Sequence, residues 1–138
     1  MPIGMTNDSR LTNVADFTAK IGGDFVVESV PLKTADGRNV KERYLQRADT
    51  KTLLSLVGNT YRILQNSTAF KHLQPFVDSG VMEISSGGIG QGGKVCYISG
   101  RVLGCDGEVG HDDRINNYFN IINPFDGVKA VYCMFSPR

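Results

Sequence analysis

The run Gly87-Gly88-Ile89-Gly90-Gln91-Gly92-Gly93-Lys94 carries the spacing of three phosphate-binding loops. Gly88, Gly90 and Gly93 satisfy G-x-G-x-x-G. A dinucleotide site needs a helix next, whose N-terminus receives the pyrophosphate, and the residues after Lys94 read as a strand. Gly88 to Lys94 also satisfies G-x-x-x-x-G-K, yet Val95 stands where a Ser or Thr hydroxyl must meet Mg²⁺. With Val95 included, the run fits the strand-loop-strand setting of a kinase phosphate loop, but no catalytic-loop Asp with its Asn and no Asp-Phe-Gly follows. What survives is a hairpin tip, Gly88, Gly90, Gly92 and Gly93, whose backbone amides can approach a phosphate, with Lys94 as a point charge. The plainer alternative is a mobile linker between paired strands.

His111-Asp112-Asp113 joins an imidazole to carboxylates. Adjacent residues supply two metal ligands at most, and a competent site needs three or four converging groups, so a solvated loop is the simpler expectation. His72 reads as a helix-surface residue. Ser67, Ser79, Ser99 and Ser136 lie in no nucleophile-elbow motif, and no carboxylate pair has surroundings that would separate its acidities. No cofactor is expected, and an enzyme is unsupported. Cys96, Cys105 and Cys133 contain no Cys-x-x-Cys and always leave one thiol over, so a disulfide framework is not expected. Cys96 and Cys133 sit among alternating apolar residues and read as small buried hydrophobes.

The most basic stretch is Arg38, Lys41, Arg43 and Arg47, continued by Lys51 and Arg62 and accompanied by Tyr44 and Tyr61. A sheet that presents rings interleaved with cations can stack unpaired bases and track their backbone. Strand alternation divides them: Lys41, Arg43 and Leu45 point one way, Glu42, Tyr44 and Gln46 the other. The candidate nucleic-acid residues are therefore Arg38, Lys41, Arg43, Arg47, Lys51, Arg62 and Lys94, weighed against an ordinary charged outer face.

Elements must hold these groups in place. Residues 1–13 are polar and aperiodic, the pattern of a flexible lead-in, and 14–138 are expected to form one α+β domain. Asn13 is placed to cap a short helix bearing Val14, Phe17 and Ile21 that stops at Gly22-Gly23. Phe25 to Leu32 and Val40 to Ala48 read as a hairpin about Asp36-Gly37, and Leu53–Val57 with 61–64 as a second strand pair. A central helix begins at Asn66 or Ser67 as cap, buries Phe70, Leu73, Phe76 and Val77, and stops at Gly80. Pro75 removes one of its hydrogen bonds and clashes with the turn before, predicting a kink or two short helices. Strands return at 81–85, 95–103, 117–122 and 128–135. The expected fold is α+β, antiparallel β-hairpins flanking one central Pro-kinked helix packed on a sheet face.

The 138 residues carry 15 Lys+Arg against 14 Asp+Glu, which excludes a polybasic condensing protein and an acidic tail. No apolar run approaches the ~20 residues of a membrane span, and the first residues lack the pattern of a secretion signal, so a soluble intracellular protein is expected.

Several short motifs then carry a resemblance. They are Tyr61-Arg62-Ile63-Leu64-Gln65-Asn66 followed by Phe70, Phe76-Val77-Asp78-Ser79-Gly80, and Gly92-Gly93-Lys94-Val95 entering a strand. Tyr118, Asn123 with Asp126-Gly127, and Phe135-Ser136-Pro137 complete them. From about residue 14 onward the chain resembles the first half of the phage/plasmid-like protein family, defined by a domain of unknown function in bacteriophages, prophages and plasmids. Pro124-Phe125 replaces the Ser-His that the family tends to carry there. The resemblance implies a mobile-element setting in a host cytoplasm and transfers no catalytic residue.

Three readings follow. The first is a non-enzymatic phage or plasmid accessory protein that binds nucleic acid, single strands in particular, through the basic hairpin and glycine-rich tip. The second is a protein-interaction module, such as a host-defence inhibitor or assembly subunit, with a host or phage protein or a second copy as partner. The third is a metal-dependent, nuclease-like enzyme using His111, Asp112 and Asp113.

Overall fold

The structure, a computed structural model, describes residues 12–103, 107–109, 113–115 and 117–137. The chain opens with α1 (Val14–Lys20), whose N-terminus is closed by Asn13: its side-chain oxygen accepts the Asp16 N–H at 2.9 Å. Val14 and Phe17 are buried, and the chain leaves through Gly22 at a φ of +80°, a conformation that glycine adopts without a steric penalty.

β1 (Val27–Lys33), β2 (Asn39–Arg47) and β3 (Leu53–Val57) form an antiparallel sheet in that order. Two short helices follow, α2 (Asn66–Lys71) and α3 (Gln74–Asp78). A four-stranded antiparallel sheet comes next. It contains β4 (Met82–Gly90), β5 (Val95–Val102), β8 (Asn117–Pro124) and β9 (Tyr132–Pro137), ordered β4-β5-β8-β9. Between β5 and β8 lies a small ribbon of β6 (Gly107–Val109) and β7 (Asp113–Ile115). The expected α+β class, with hairpins on both sides of a broken helix, is what the chain forms.

Two apolar clusters hold these layers. Phe25, Val27, Leu45, Leu54 and Val57 line the first sheet and take in Phe125 from beyond the end of β8. Val14 and Phe17 of α1 and Ala69 and Phe70 of α2, with Leu73 just beyond it, cover Met82, Ile84, Cys96, Ile98 and Ile121 of the second sheet. Burying a ring as fully as Phe70 contributes about 2–3 kcal/mol.

Pro75 breaks the helix where expected, in the first turn of α3, where its missing N–H costs nothing. The break also resets the helical phase. Phe76, expected inward, is 51% exposed, while Leu73 is buried. Residues 61–64 form no strand, correcting the second strand pair. Tyr61 and Ile63 instead pack side-on against the first cluster. Neither Asn66 nor Ser67 caps α2; Gln65 occupies that position and makes no capping bond with its side chain. The Gln65 amide serves β1 instead. Its Oε1 accepts the Val27 N–H at 2.9 Å and its Nε2 donates to the Val27 carbonyl at 2.8 Å, so one side chain stands in for a neighbouring strand.

Cys96 is buried as expected; Cys133, on the outer strand β9, is exposed, because no strand follows it among the described residues. Burial pushes the Cys96 thiol up to about 12 from an ordinary value of 9.0. Below pH 9 both folded and unfolded chains keep the proton, and the stability gained from the raised pKa is fully present. Between 9 and 12 only the unfolded chain ionises, so stability falls by up to ~1.4 kcal/mol per pH unit. Urea denaturation at about pH 8 and about pH 10.5 should show wild type losing roughly 2 kcal/mol more than Cys96→Ala. Equal losses in the two proteins would remove Cys96 as the cause.

Candidate nucleic-acid interface

Arg38 and Arg47 sit at opposite ends of β2, which at ~3.3 Å per residue separates them by roughly 30 Å. The basic residues therefore form no single patch. At the turn, Arg38 pairs with Asp36 at 3.1 Å, both exposed. The Asp36 carboxyl is held below its usual value first by the Thr34 hydroxyl and then by Arg38. Lys41 is exposed nearby. Arg43 shares the inward side of β2 with Leu45 and donates to Ser29, from Nε to Oγ at 2.6 Å and from Nη2 to the carbonyl at 3.1 Å. Lys51 pairs with Glu28 at 3.1 Å.

At the other end, the structure joins the two regions the sequence kept apart. Arg47 lies 4.1 Å over the Phe25 ring, pairs with Asp49 at 2.8 Å, and donates from Nη1 to the Gly92 carbonyl at 3.0 Å. The guanidinium thereby fastens the β4–β5 turn to the first sheet. The glycine-rich run is not one loop: Gly88 and Gly90 lie within β4, and the chain turns over 91–94, the first three residues as a short 3₁₀ segment. Gly93 has a φ of +118°, and a Cβ there would stand 2.9 Å from the Arg47 Cδ and 3.1 Å from the Phe25 ring. Close packing requires that glycine. His111 and Asp112 lie outside the described residues, as do the side chain of Asp113 and all of Cys105. Among the described residues no group of three His, Cys, Asp or Glu is placed to hold a metal, and no helix is long and apolar enough to cross a membrane.

The register of the second sheet exposes a site that the sequence reading missed. Cys96 and Ile98 face the helices, so Tyr97, Ser99 and Arg101 face away. Tyr97 is paired with Ile122 and Ile122 with Tyr132, forming one row across three strands. Ser99, Asn120 and Met134 form the next, and Arg101, Tyr118 and Ser136 the one beyond. Helices thus cover one side of this sheet, while the other presents three tyrosines with Ile122, Met134 and Arg101. Tyr97 is 39% exposed, Tyr132 40% and Met134 49%. The Tyr97 ring has room to lie against the sheet because its neighbour on β4 is Gly88, where a Cβ would come within 3.3 Å of the ring. Between the rows, Asn120 Nδ2 donates to the Met134 carbonyl and Ser136 Oγ, while the buried Ser99 hydroxyl makes no hydrogen bond. At the far end, Arg101 pairs with Glu83 at 3.1 Å.

Cations gather where β5 begins and β8 ends. Lys94 precedes β5, and its carbonyl accepts the Phe125 N–H. Arg62 and Lys129 line a cleft of about 290 Å³ with Pro124 and Val131, and Lys129 shares a shallower depression with Tyr132. Asp126 shapes this loop, its Oδ1 accepting the N–H groups of Val128 at 2.9 Å and Lys129 at 3.0 Å. Those amides, Lys129 first, hold its carboxyl below the usual range.

The family described as Domain of unknown function (DUF932) matches residues 53–138. The chain belongs to that family. The DUF932 match runs from β3 through α2, α3 and the whole four-stranded sheet with its tyrosine rows; β1, β2 and α1 precede it. No curated protein and no solved structure matches the chain. The signal for Tyr97 and Tyr132 was present as alternation in Cys96-Tyr97-Ile98-Ser99 and Tyr132-Cys133-Met134, but the strand order that puts them in one row was not.

Proposed function

We propose that this DUF932 protein is a non-enzymatic accessory protein of a phage or plasmid that binds single-stranded nucleic acid across the open side of its four-stranded sheet, in the host cytoplasm. The observation that carries the reading is the row of Tyr97, Ile122 and Tyr132, with Tyr118 two rows along, opposite the helix-covered side. Base stacking on exposed rings is worth ~1–3 kcal/mol per base and tolerates any sequence, because every base has a π-face. Lys94 precedes β5, Arg62 and Lys129 line the cleft at Pro124, and Lys129 also lies beside Tyr132; in this reading these cations meet the phosphates of the bound strand. Arg47 acts in this reading as the tie that holds the turn beside Lys94. The mobile-element setting rests on the resemblance carried by the motifs from Tyr61 to Asn66 and from Phe76 to Gly80.

Fluorescence anisotropy with a labelled single-stranded oligonucleotide tests the reading. Three phosphate contacts predict that log K falls against log salt with a slope of about −2, and that a duplex of the same sequence binds more weakly. Absence of binding at about 50 mM salt, or preference for the duplex, overturns it.

A further inference from the structure

The hairpin of β1 and β2 runs on past the end of β3. Arg43, opposite Val57, is the β2 residue nearest the hairpin turn that β3 pairs, so among the described residues 39–42 have a strand neighbour only in β1. On that side the ladder is itself interrupted. Pro31 pairs with Arg43 and Lys33 with Asn39, so 40–42 stand opposite Leu32 alone. A bulge of this kind bends its strand and re-aims the side chains it carries, here Lys41 among them. Pro31, Asn39, Val40, Lys41, Arg43 and Asn59 line a cleft of about 370 Å³ at this place, within the ~300–1,000 Å³ of small-molecule sites.

The charge of this cleft sets it apart from the other basic positions. Arg38, Arg47, Lys51 and Arg101 each pair with a carboxylate, Asp36, Asp49, Glu28 and Glu83 in turn. Among the described residues Lys41 and Arg43 pair with none, and no Asp or Glu lines the cleft. Arg43 is partly buried, and a cation drawn out of water is ordinarily paired. Its bonds go instead to neutral oxygens, from Nε to Ser29 Oγ at 2.6 Å and from Nη2 to the Ser29 carbonyl at 3.1 Å. Those bonds fix the guanidinium plane and leave donors on Nη1 and Nη2, the end that grips an oxyanion with two prongs. Lys41 brings the donors of an ammonium. Asn39 Oδ1 accepts from Lys33 Nζ at 2.7 Å, which leaves its Nδ2 to donate.

We infer that this cleft binds a phosphomonoester, at a site separate from the tyrosine rows. Its lining offers two positive charges and a surplus of donors, and a phosphomonoester brings about −1.5 to −2 charge at pH 7 with three acceptor oxygens. A nucleic-acid phosphodiester or a carboxylate carries a single negative charge and leaves one cation unmatched. Pro31 and Val40 give the esterified group an apolar wall. The cleft belongs to the first sheet and the tyrosine rows to the second, so either proposal can fail alone.

Amide NMR on the full chain, titrated with methyl phosphate at constant ionic strength and about pH 7.5, tests the site. Saturable shifts should centre on 39–43 and Asn59. Dimethyl phosphate and acetate should bind about tenfold more weakly, and Lys41→Met and Arg43→Met should each weaken methyl phosphate by about tenfold, the loss expected when a charged hydrogen-bond donor is removed. Lys41 is exposed, so its variant reads the site even if Arg43→Met loosens β1 from β2. Arg38→Met, at the paired turn, should leave the affinity unchanged. Two further arms identify the source of the group, and success of either supports the site. A nucleoside 5′-monophosphate that binds more tightly than methyl phosphate marks a free nucleotide; a 5′-phosphorylated oligonucleotide that displaces methyl phosphate, where its 5′-hydroxyl counterpart does not, marks a strand end. Absence of saturable shifts below ~20 mM methyl phosphate, equal binding of dimethyl phosphate or acetate, or an affinity indifferent to Lys41→Met would each overturn the inference.

Discussion

Tyr97→Ala combined with Tyr132→Ala is expected to weaken binding of a single-stranded oligonucleotide by roughly 30-fold or more, since each lost stack removes ~1–3 kcal/mol. The form of the loss matters as much as its size. The two rings carry no charge, so the salt slope of the double variant should match that of wild type while its affinity falls at every salt concentration. Lys94→Ala and Lys129→Ala should do the reverse, each flattening the slope by ~0.7. Tyr97→Phe with Tyr132→Phe keeps the π-face and should restore affinity, which separates stacking from any role of the hydroxyls. An alanine double variant that remains folded and binds like wild type would remove the sheet surface from the proposal.

The second large effect lies in the polar centre between the two apolar clusters. Asn123 Nδ2 donates to the Leu64 carbonyl and to Asn66 Oδ1, both at 2.9 Å, and Asn66 Nδ2 donates to the Gly23 carbonyl at 3.0 Å. Asn66 is fully buried and Asn123 nearly so. Three separated segments are thus joined through two side chains in a place water does not reach. Asn123→Ala leaves the Leu64 carbonyl and the Asn66 Oδ1 without that donor, at ~1–3 kcal/mol for each unsatisfied group. We expect a loss of about 3 kcal/mol, which for a chain of this size lowers Tm by roughly 10 °C. Asn66→Ala should cost a similar amount, and the double variant less than the sum by ~0.5–3 kcal/mol, because both singles break the same bond. Additive losses below ~1 kcal/mol each would show that the pair does not act as a unit.

Local chemistry was legible in the sequence and long-range placement was not. Asn13 before an acidic first turn, Asp36-Gly37 between alternating strands, and Pro75 inside a helical pattern each specify their structure within a few residues, and each folds accordingly. Asn66 was misjudged because its type suits a cap. Its actual partners are 43 residues back at Gly23 and 57 residues on at Asn123, beyond any local pattern. Residues 61–64 alternate like a strand and are not one, because packing against the first apolar cluster partly buries Tyr61 and Ile63 without a ladder. The glycine run resembled a phosphate loop because close packing and close phosphate approach ask the same thing of the backbone. The tyrosines were hidden for a different reason: a stacking surface exists only once β5, β8 and β9 are side by side.

β8 passes from one apolar cluster to the other, contributing Ile121 to the second and leading directly into Phe125 of the first. The family match begins at residue 53, yet β3, which opens it, takes its strand pairing from β2 outside it. Phe125 likewise rests on Phe25, Val27 and Leu45 from that preceding stretch. The family match therefore begins inside a sheet, and the matched part of this chain rests on a strand and on apolar side chains that precede it.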